Sequence, residues 1–247
     1  MERINQMDSE ETKNHLAQHE TIIKVDGISK VFDLGKRKIE ALAEVNLEIK
    51  SRDFLLIFGP SGCGKSTLLN AIIGADEPTT GKVTVRGENI YSMNEDERGI
   101  FRSKKMGIIY QMFYWIKSLN VVENVAMPLI IEGVNKKKAI EKAYDLLEKL
   151  KIKKLATQIP TQLSGGEQQR IGFARAMISN PWIIIADEPT GNLDSTSSDE
   201  MMSLFDSLNQ DMKKTIILVT HNPAYWEVGT RRIEMKDGRI VKEVNHG

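Results

Sequence analysis

Cysteine is nearly missing from this chain. Cys63 is the only one in 247 residues, so no internal disulfide can form; that suits a reducing compartment and excludes a disulfide-stapled scaffold. Long apolar runs are missing too. No stretch approaches the roughly 20 residues that a bilayer-spanning helix needs, so any work at a membrane must take its membrane part from another chain. Charge of one sign is not in excess: Lys and Arg total 34, and Asp and Glu total 34. A nucleic-acid partner usually demands a basic face, so none is expected, although overall balance leaves room for a local patch. Aromatic residues make up only 6%. The opening segment 1–20 is polar and acidic and lacks the basic start and apolar stretch of a secretory signal. It reads as a disordered or loosely helical extension. There is no internal repeat and no low-complexity tract.

What is present is enough apolar material for a core. Hydrophobic residues make up 40% of the chain, and the length fits one large α/β domain or two small ones. Ile22–Val25, Val45–Ile49 and Lys82–Arg86 read as strands of a small antiparallel sheet, the last entered through the turn signal Pro78-Thr79-Thr80-Gly81. Lys105–Tyr110 reads as a core strand. Ala139, Ile140, Ala143, Leu146, Leu147 and Leu150 recur at helical spacing, so the stretch from about 112 to 162 is expected to be mostly helical. Gly165–Ile178 and Ser195–Asp211 read as helices. Trp182–Ala186 and Thr215–Val219 read as strands, and Arg231–Val244 as a final hairpin around Asp237-Gly238. Strands alternating with helices argue for a parallel α/β core.

The chemistry begins after the apolar run Phe54–Phe58. There, Gly59-Pro60-Ser61-Gly62-Cys63-Gly64-Lys65-Ser66-Thr67 fits the phosphate-binding pattern of a glycine, four free positions, then Gly-Lys-Ser. It stands between an expected strand and an expected helix, where that pattern belongs. Glycines let the backbone turn successive N–H groups toward one point, and the helix N-terminus adds partial positive charge. Lys65 would reach the β- and γ-phosphates, and the Ser66 hydroxyl would bind Mg²⁺. Cys63 occupies a free position of the pattern.

A phosphate loop needs a metal carboxylate and a group to orient water. The run Ile183-Ile184-Ile185-Ala186 delivers Asp187 and Glu188 at a strand's C-terminal end, where open α/β sheets bind ligands. Asp187 would hold Mg²⁺, and Glu188 would polarise the attacking water.

Leu163-Ser164-Gly165-Gly166-Glu167-Gln168-Gln169-Arg170 then matches the signature motif of the ATP-binding cassette (ABC) family. The sequence resembles that family over about Ile22–Val244. The resemblance implies a P-loop NTPase of the ABC ATPase fold: a RecA-like parallel-sheet core, a small antiparallel β subdomain and a helical subdomain, together spanning 21–247. It implies that Ser164, Gly165 and Gly166 bind the γ-phosphate of ATP held by a second copy, so that a head-to-tail homodimer encloses two ATP with Mg²⁺. Gln111 matches the glutamine that touches Mg²⁺ and the attacking water. Asn192-Leu193-Asp194 matches the loop that crosses the dimer interface, and His221 matches the histidine on the γ-phosphate. Phe32 matches the aromatic that stacks on adenine, with a core phenylalanine beside Val31 as the alternative.

Gly107-Ile108-Ile109-Tyr110-Gln111, Glu123-Asn124-Val125-Ala126-Met127-Pro128-Leu129 and Pro189-Thr190-Gly191-Asn192-Leu193-Asp194 look like the branch of lipoprotein-releasing, macrolide-export and cell-division ATPases. The resemblance implies a separate integral membrane subunit, driven mechanically, and a cytoplasmic position at the inner face of the membrane. The alternative is a soluble ABC-type ATPase acting on nucleic acid or ribosomes, but those usually carry a coiled coil, a zinc module or two cassettes. The run Phe113-Tyr114-Trp115-Ile116 leaves two readings open: docking of the membrane subunit, or packing of the helical insert.

Overall fold

The computed structural model describes residues 20–35, 37–191 and 193–245. All but Glu20 of the expected N-terminal extension lies outside the described residues, and so does Asn192 of the interface loop. Two strands of 13 residues, β1 (Thr21–Asp33) and β2 (Lys38–Lys50), pair antiparallel. Val45, Leu47 and Ile49 are buried between exposed Glu44, Asn46, Glu48 and Lys50, the two-residue period of a half-buried strand. Both strands run well beyond the segments read from sequence. In β1 the alternation breaks at Gly27, which sits at φ 59 inside a register shift between Val25 and Ile28. A bulge continues the strand where the sequence pattern stops.

The chain then makes β3 (Phe54–Phe58), α1 (Lys65–Ile72), β4 (Thr80–Val85), β5 (Glu88–Asn89) and α2 (Glu95–Lys105). The first sheet has the order β2-β1-β4-β5 and is wholly antiparallel. Helix α2 was not legible from apolar spacing because it buries none of its residues. Its start is nonetheless written in the chain: Asn94 and Glu97 form a reciprocal capping box. After β6 (Met106–Ile109) come α3 (Val121–Ile131), α4 (Lys136–Lys149) and α5 (Gly165–Met177). The remaining elements are β7 (Ile183–Asp187), α6 (Ser195–Gln210), β8 (Thr215–Val219), β9 (Arg231–Lys236) and β10 (Arg239–Asn245).

The second sheet has the order β10-β9-β3-β8-β7-β6, parallel throughout except for β10 at the edge. The final hairpin is therefore part of the central sheet, since β9 pairs parallel with β3. Successive residues of the central strands enter opposite layers. Leu55, Ile57, Ile185, Ile217 and Val219 join a core shared with the antiparallel sheet and α1. Phe54, Leu56, Ile184, Ile216 and Leu218 join Phe173 of α5 and Phe205 of α6 on the other face. Full burial of each such side chain is worth about 1.5–3 kcal/mol, which is why these runs are apolar without alternation.

A third core lies among the helices, where Val121, Val125 and Leu129 of α3 meet Ala139, Ala143 and Leu147 of α4. Ile171 and Ala174 of α5 belong to this cluster too, whereas Phe173 belongs to the sheet layer. Helix α5 therefore bridges the helical layer and the parallel sheet. The nine residues 112–120 before α3 form no helix.

Sheet order positions the site. Strands β3, β8, β7 and β6 are neighbours, parallel and in register: Ile57 lies opposite Val219, Val219 opposite Asp187, and Ala186 opposite Ile109. The segments leaving their carboxyl ends, at residues 59, 188, 220 and 110, are thus laid side by side across three interstrand steps, or about 14 Å.

Candidate functional site

The loop at 59–67 needs its glycines. A Cβ on Gly59 would lie 2.3 Å from the carbonyl oxygen of Met235, and one on Gly64, at φ 103, would lie 2.4 Å from that of Ala41. The loop is pinned to the final hairpin, because Gly238 N–H donates to the Cys63 carbonyl at 3.0 Å and Ala43 N–H to the Gly238 carbonyl at 3.0 Å. Cys63 is buried, and its Sγ lies 3.9 Å from Lys65 Nζ. The Lys65 ammonium, also buried, donates to the carbonyls of Gly59 at 2.7 Å and Pro60 at 2.9 Å.

Helix α1 differs from the other five α-helices among the described residues. Those begin at Asn94, Asn120, Asn135, Ser164 and Asp194, each with a side chain accepting from a first-turn amide. Helix α1 begins at Gly64 with no such cap and no acid in its first turn. Its opening amides have no partner of their own, and a phosphate supplies the missing acceptor and the charge the helix end favours. The donor set therefore fits a nucleotide phosphate.

Asp187 ends β7, with the Ser66 hydroxyl acting on its carboxyl. Burial pushes its carboxyl above the usual range and Glu188 adds to this, while Ser66 and Lys65 oppose it. A divalent cation there would reverse that shift. No group of three or more His, Cys, Asp or Glu able to hold a metal occurs among the described residues. One carboxylate and one hydroxyl instead fit Mg²⁺, which keeps waters and takes phosphate oxygens as its other ligands.

Glu188 is the centre of the second half. Its backbone stands at φ 46, unusual for a side-chain-bearing residue, and its N–H donates to the Val219 carbonyl at 3.0 Å. One carboxylate oxygen lies 3.2 Å from His221 Nδ1, and the other accepts from Gln111 Nε2 at 3.3 Å. Two residues far apart in the chain, Gln111 and His221, are thus gathered on one carboxylate. Glu188 is half-buried and His221 exposed, so this group can hold a water molecule and take its proton.

The turn at Ser164 stands apart. Ser164 caps α5 in a capping box with Glu167, donating to the Glu167 carboxylate at 2.8 Å through its hydroxyl and at 3.1 Å through its N–H. These bonds hold the Glu167 carboxyl below its usual range. Gly166 faces α6, where a Cβ would lie 3.4 Å from Ser197 Oγ. Ser197 is in turn bound by Asp194, through its N–H at 2.9 Å and its hydroxyl at 2.8 Å. Ser164 and Gly165 are exposed. Among the described residues, no hydrogen bond or ion pair joins them to the phosphate loop, Gln111, Asp187, Glu188 or His221.

Phe32 lies near the end of β1 and is 37% exposed, with Lys30 Nζ 5.2 Å from its ring centroid. It is not a core phenylalanine. The aromatic run divides by alternation: Phe113 and Trp115 are half-buried, whereas Met112, Tyr114 and Ile116 are exposed. Sequence reasoning missed Asn124, buried in α3, whose side chain accepts from Ile116 N–H at 3.0 Å and donates to the Ile116 carbonyl at 3.2 Å, fixing the end of that run. A buried asparagine four residues into an apolar helix was the available signal.

Comparison with known proteins gives a consistent result. The family described as ABC transporter matches residues 42–191. An uncharacterized ABC transporter ATP-binding protein of Methanocaldococcus jannaschii is 43% identical over 224 residues, covering 91% of this chain and 100% of the relative. The lipoprotein-releasing system ATP-binding protein LolD 1 of Chlorobium chlorochromatii is 40% identical over 223 residues, covering 90% of this chain and 91% of the relative. The macrolide export ATP-binding/permease protein MacB of Syntrophobacter fumaroxidans is 38% identical over 224 residues, but these are 31% of its length. Among solved structures, the dimeric post-hydrolysis state of the ATP-binding cassette MJ0796 bound to ADP and Pi matches with a TM-score of 0.85 at 38% identity, covering 91% of this chain and 99% of that one.

Proposed function

This chain belongs to the ABC transporter family as an ATP-hydrolysing, ATP-binding subunit, and we propose that it acts as a head-to-tail homodimer that drives a separate membrane subunit. Nucleotide is held by the loop at 59–67, with Mg²⁺ on Ser66, Asp187 and Gln111 and adenine on Phe32. Glu188 takes the proton of the attacking water, held in place by Gln111 and His221. The Ser164-Gly165-Gly166 turn of one copy meets the γ-phosphate held by the other. Lys65, the helix amides and Mg²⁺ offset the charge that develops there. The observation that carries this reading is the division of the site. Gln111, Glu188 and His221 converge within one chain, while the Ser164 turn stays exposed and unjoined to them.

The membrane subunit would dock on Met112, Tyr114 and Ile116, the outward residues of the aromatic run. The lipoprotein-releasing and macrolide-export proteins named among the relatives support a place in that branch. No described helix is long and apolar enough to cross a membrane. In the proposed complex the partner is the integral membrane subunit and this chain sits at its cytoplasmic side. The test is affinity capture of the tagged chain from detergent-solubilised membranes. An integral membrane protein is expected to co-purify. Recovery of ribosomes or nucleic acid in its place would favour the soluble-ATPase alternative.

A further inference from the structure

Helix α5 carries Gln168, Gly172 and Arg175 at intervals of four and three residues, which places them on one face. All three meet the loop that follows Gln111. The indole N–H of Trp115 donates to Gln168 Oε1 at 2.7 Å, and Gln168 Nε2 donates to the carbonyl of Leu163, beside the Ser164 turn, at 3.0 Å. Gly172 lies against a ring: a Cβ there would make ordinary van der Waals contact with Phe113 Cδ1, at 3.6 Å. Phe113 and Trp115 stack, with centroids 5.5 Å apart and planes at 18°. The Arg175 guanidinium donates to the Phe113 carbonyl at 2.6 Å and the Tyr114 carbonyl at 3.4 Å, and it lies 4.5 Å from the centroid of Trp115.

The loop depends on these side chains. Among the described residues, no backbone–backbone hydrogen bond holds 111–115. Tyr114 stands at φ 45, a conformation that costs a side-chain-bearing residue about 1 kcal/mol or more, and Arg175 binds its carbonyl and the one before it. No acid pairs with Arg175 among the described residues, and burial draws its pKa down to about 10, so it stays charged near neutrality. A site that only needed filling would not hold a charge in a half-buried position.

We propose that Arg175 is a positioning residue for Gln111: with Gln168 it fastens the loop after Gln111 to the helix that begins at the Ser164 turn. Engagement of that turn by a partner's nucleotide and placement of Gln111 in its own chain's site then move together. The inference rests on the roles given above to Gln111 and the Ser164 turn.

The test compares steady-state ATP hydrolysis by the full-length protein and its Arg175→Ala, Arg175→Lys and Glu188→Gln variants. Arg175→Ala should lower kcat by at least about tenfold with KM for Mg-ATP within about twofold. Arg175→Lys should recover part of that loss at neutral pH. Its turnover should then fall on the alkaline side relative to wild type, because a buried lysine gives up its proton more readily than an arginine. If Arg175→Ala does not fold, the lysine variant decides the matter. Wild-type kcat in Arg175→Ala, or an Arg175→Lys variant whose turnover follows the wild-type pH profile, overturns the inference. If Glu188→Gln itself turns over normally, the functional reading has failed. If only Glu188→Gln is inactive, the role of Arg175 alone has failed.

Discussion

Replacing Glu188 by Gln isolates one atom's chemistry. The substitution keeps size and shape, and glutamine accepts the φ 46 backbone as readily as glutamate does, without a β-branch to strain it. The new amide can still meet Gln111, 3.3 Å away, and His221, 3.2 Å away. What disappears is a carboxylate able to accept a proton. General-base catalysis is typically worth about 10²–10⁴-fold, which at 1.36 kcal/mol per tenfold is about 2.7–5.4 kcal/mol of barrier. Ground-state binding should move the other way, since a negative charge near the γ-phosphate has been removed. Phosphate release under single-turnover conditions would give the rate, and light scattering with Mg-ATP would give the assembly state. A turnover loss of about a hundredfold or more, undiminished nucleotide affinity and accumulation of an ATP-bound dimer are expected. Turnover within about threefold of wild type would refute the role of Glu188.

Two other perturbations separate binding chemistry from stability. Asp187 has its carboxyl raised by burial, so its folded form binds more protons than its unfolded form, and its unfavourable contribution grows as pH rises above the ordinary carboxylate range. Asp187→Asn should therefore raise the melting temperature of the nucleotide-free protein at neutral pH, with the gain shrinking on acidification, while Mg-dependent turnover is lost; thermal melts across pH would check the sign. In the aromatic run, Tyr114 is 69% exposed and touches Tyr110 edge-on at 5.3 Å, so Tyr114→Ala should cost only about 0.5–1.5 kcal/mol while weakening capture of the membrane subunit. Trp115→Ala should cost about 3–5 kcal/mol in chemical denaturation, because its ring fills the space between Phe113 and Arg175.

Local residue order carried much of the fold. Thr215–Val219 was readable to the residue because a strand buried on both faces needs an unbroken apolar run. Helix α4 was readable because Ala139, Ala143 and Leu147 keep its period. Long-range pairing was less accessible. Nothing near Arg231 announces that the final hairpin's first strand lies parallel to β3, and the bulge at Gly27 hides the second half of β1. The phosphate loop and the acids after β7 were legible because backbone geometry and ligand chemistry fix residue types at fixed spacings. Gln111 and His221 were site candidates only through family resemblance, and their meeting on Glu188 was not foreseen, since strand order, not sequence distance, brings them together. Arg175 was invisible in advance because its partners are backbone carbonyls, which leave no trace in residue identity.

The central claim is that each active centre is shared by two copies. Turnover per protomer, measured over a dilution series for the wild-type protein and for Ser164→Arg, tests it most directly. A shared centre predicts a wild-type rate that falls as pairs dissociate, and a Ser164→Arg protein that binds nucleotide but is inactive throughout. A constant rate per protomer at every dilution, matched by Ser164→Arg, would contradict it.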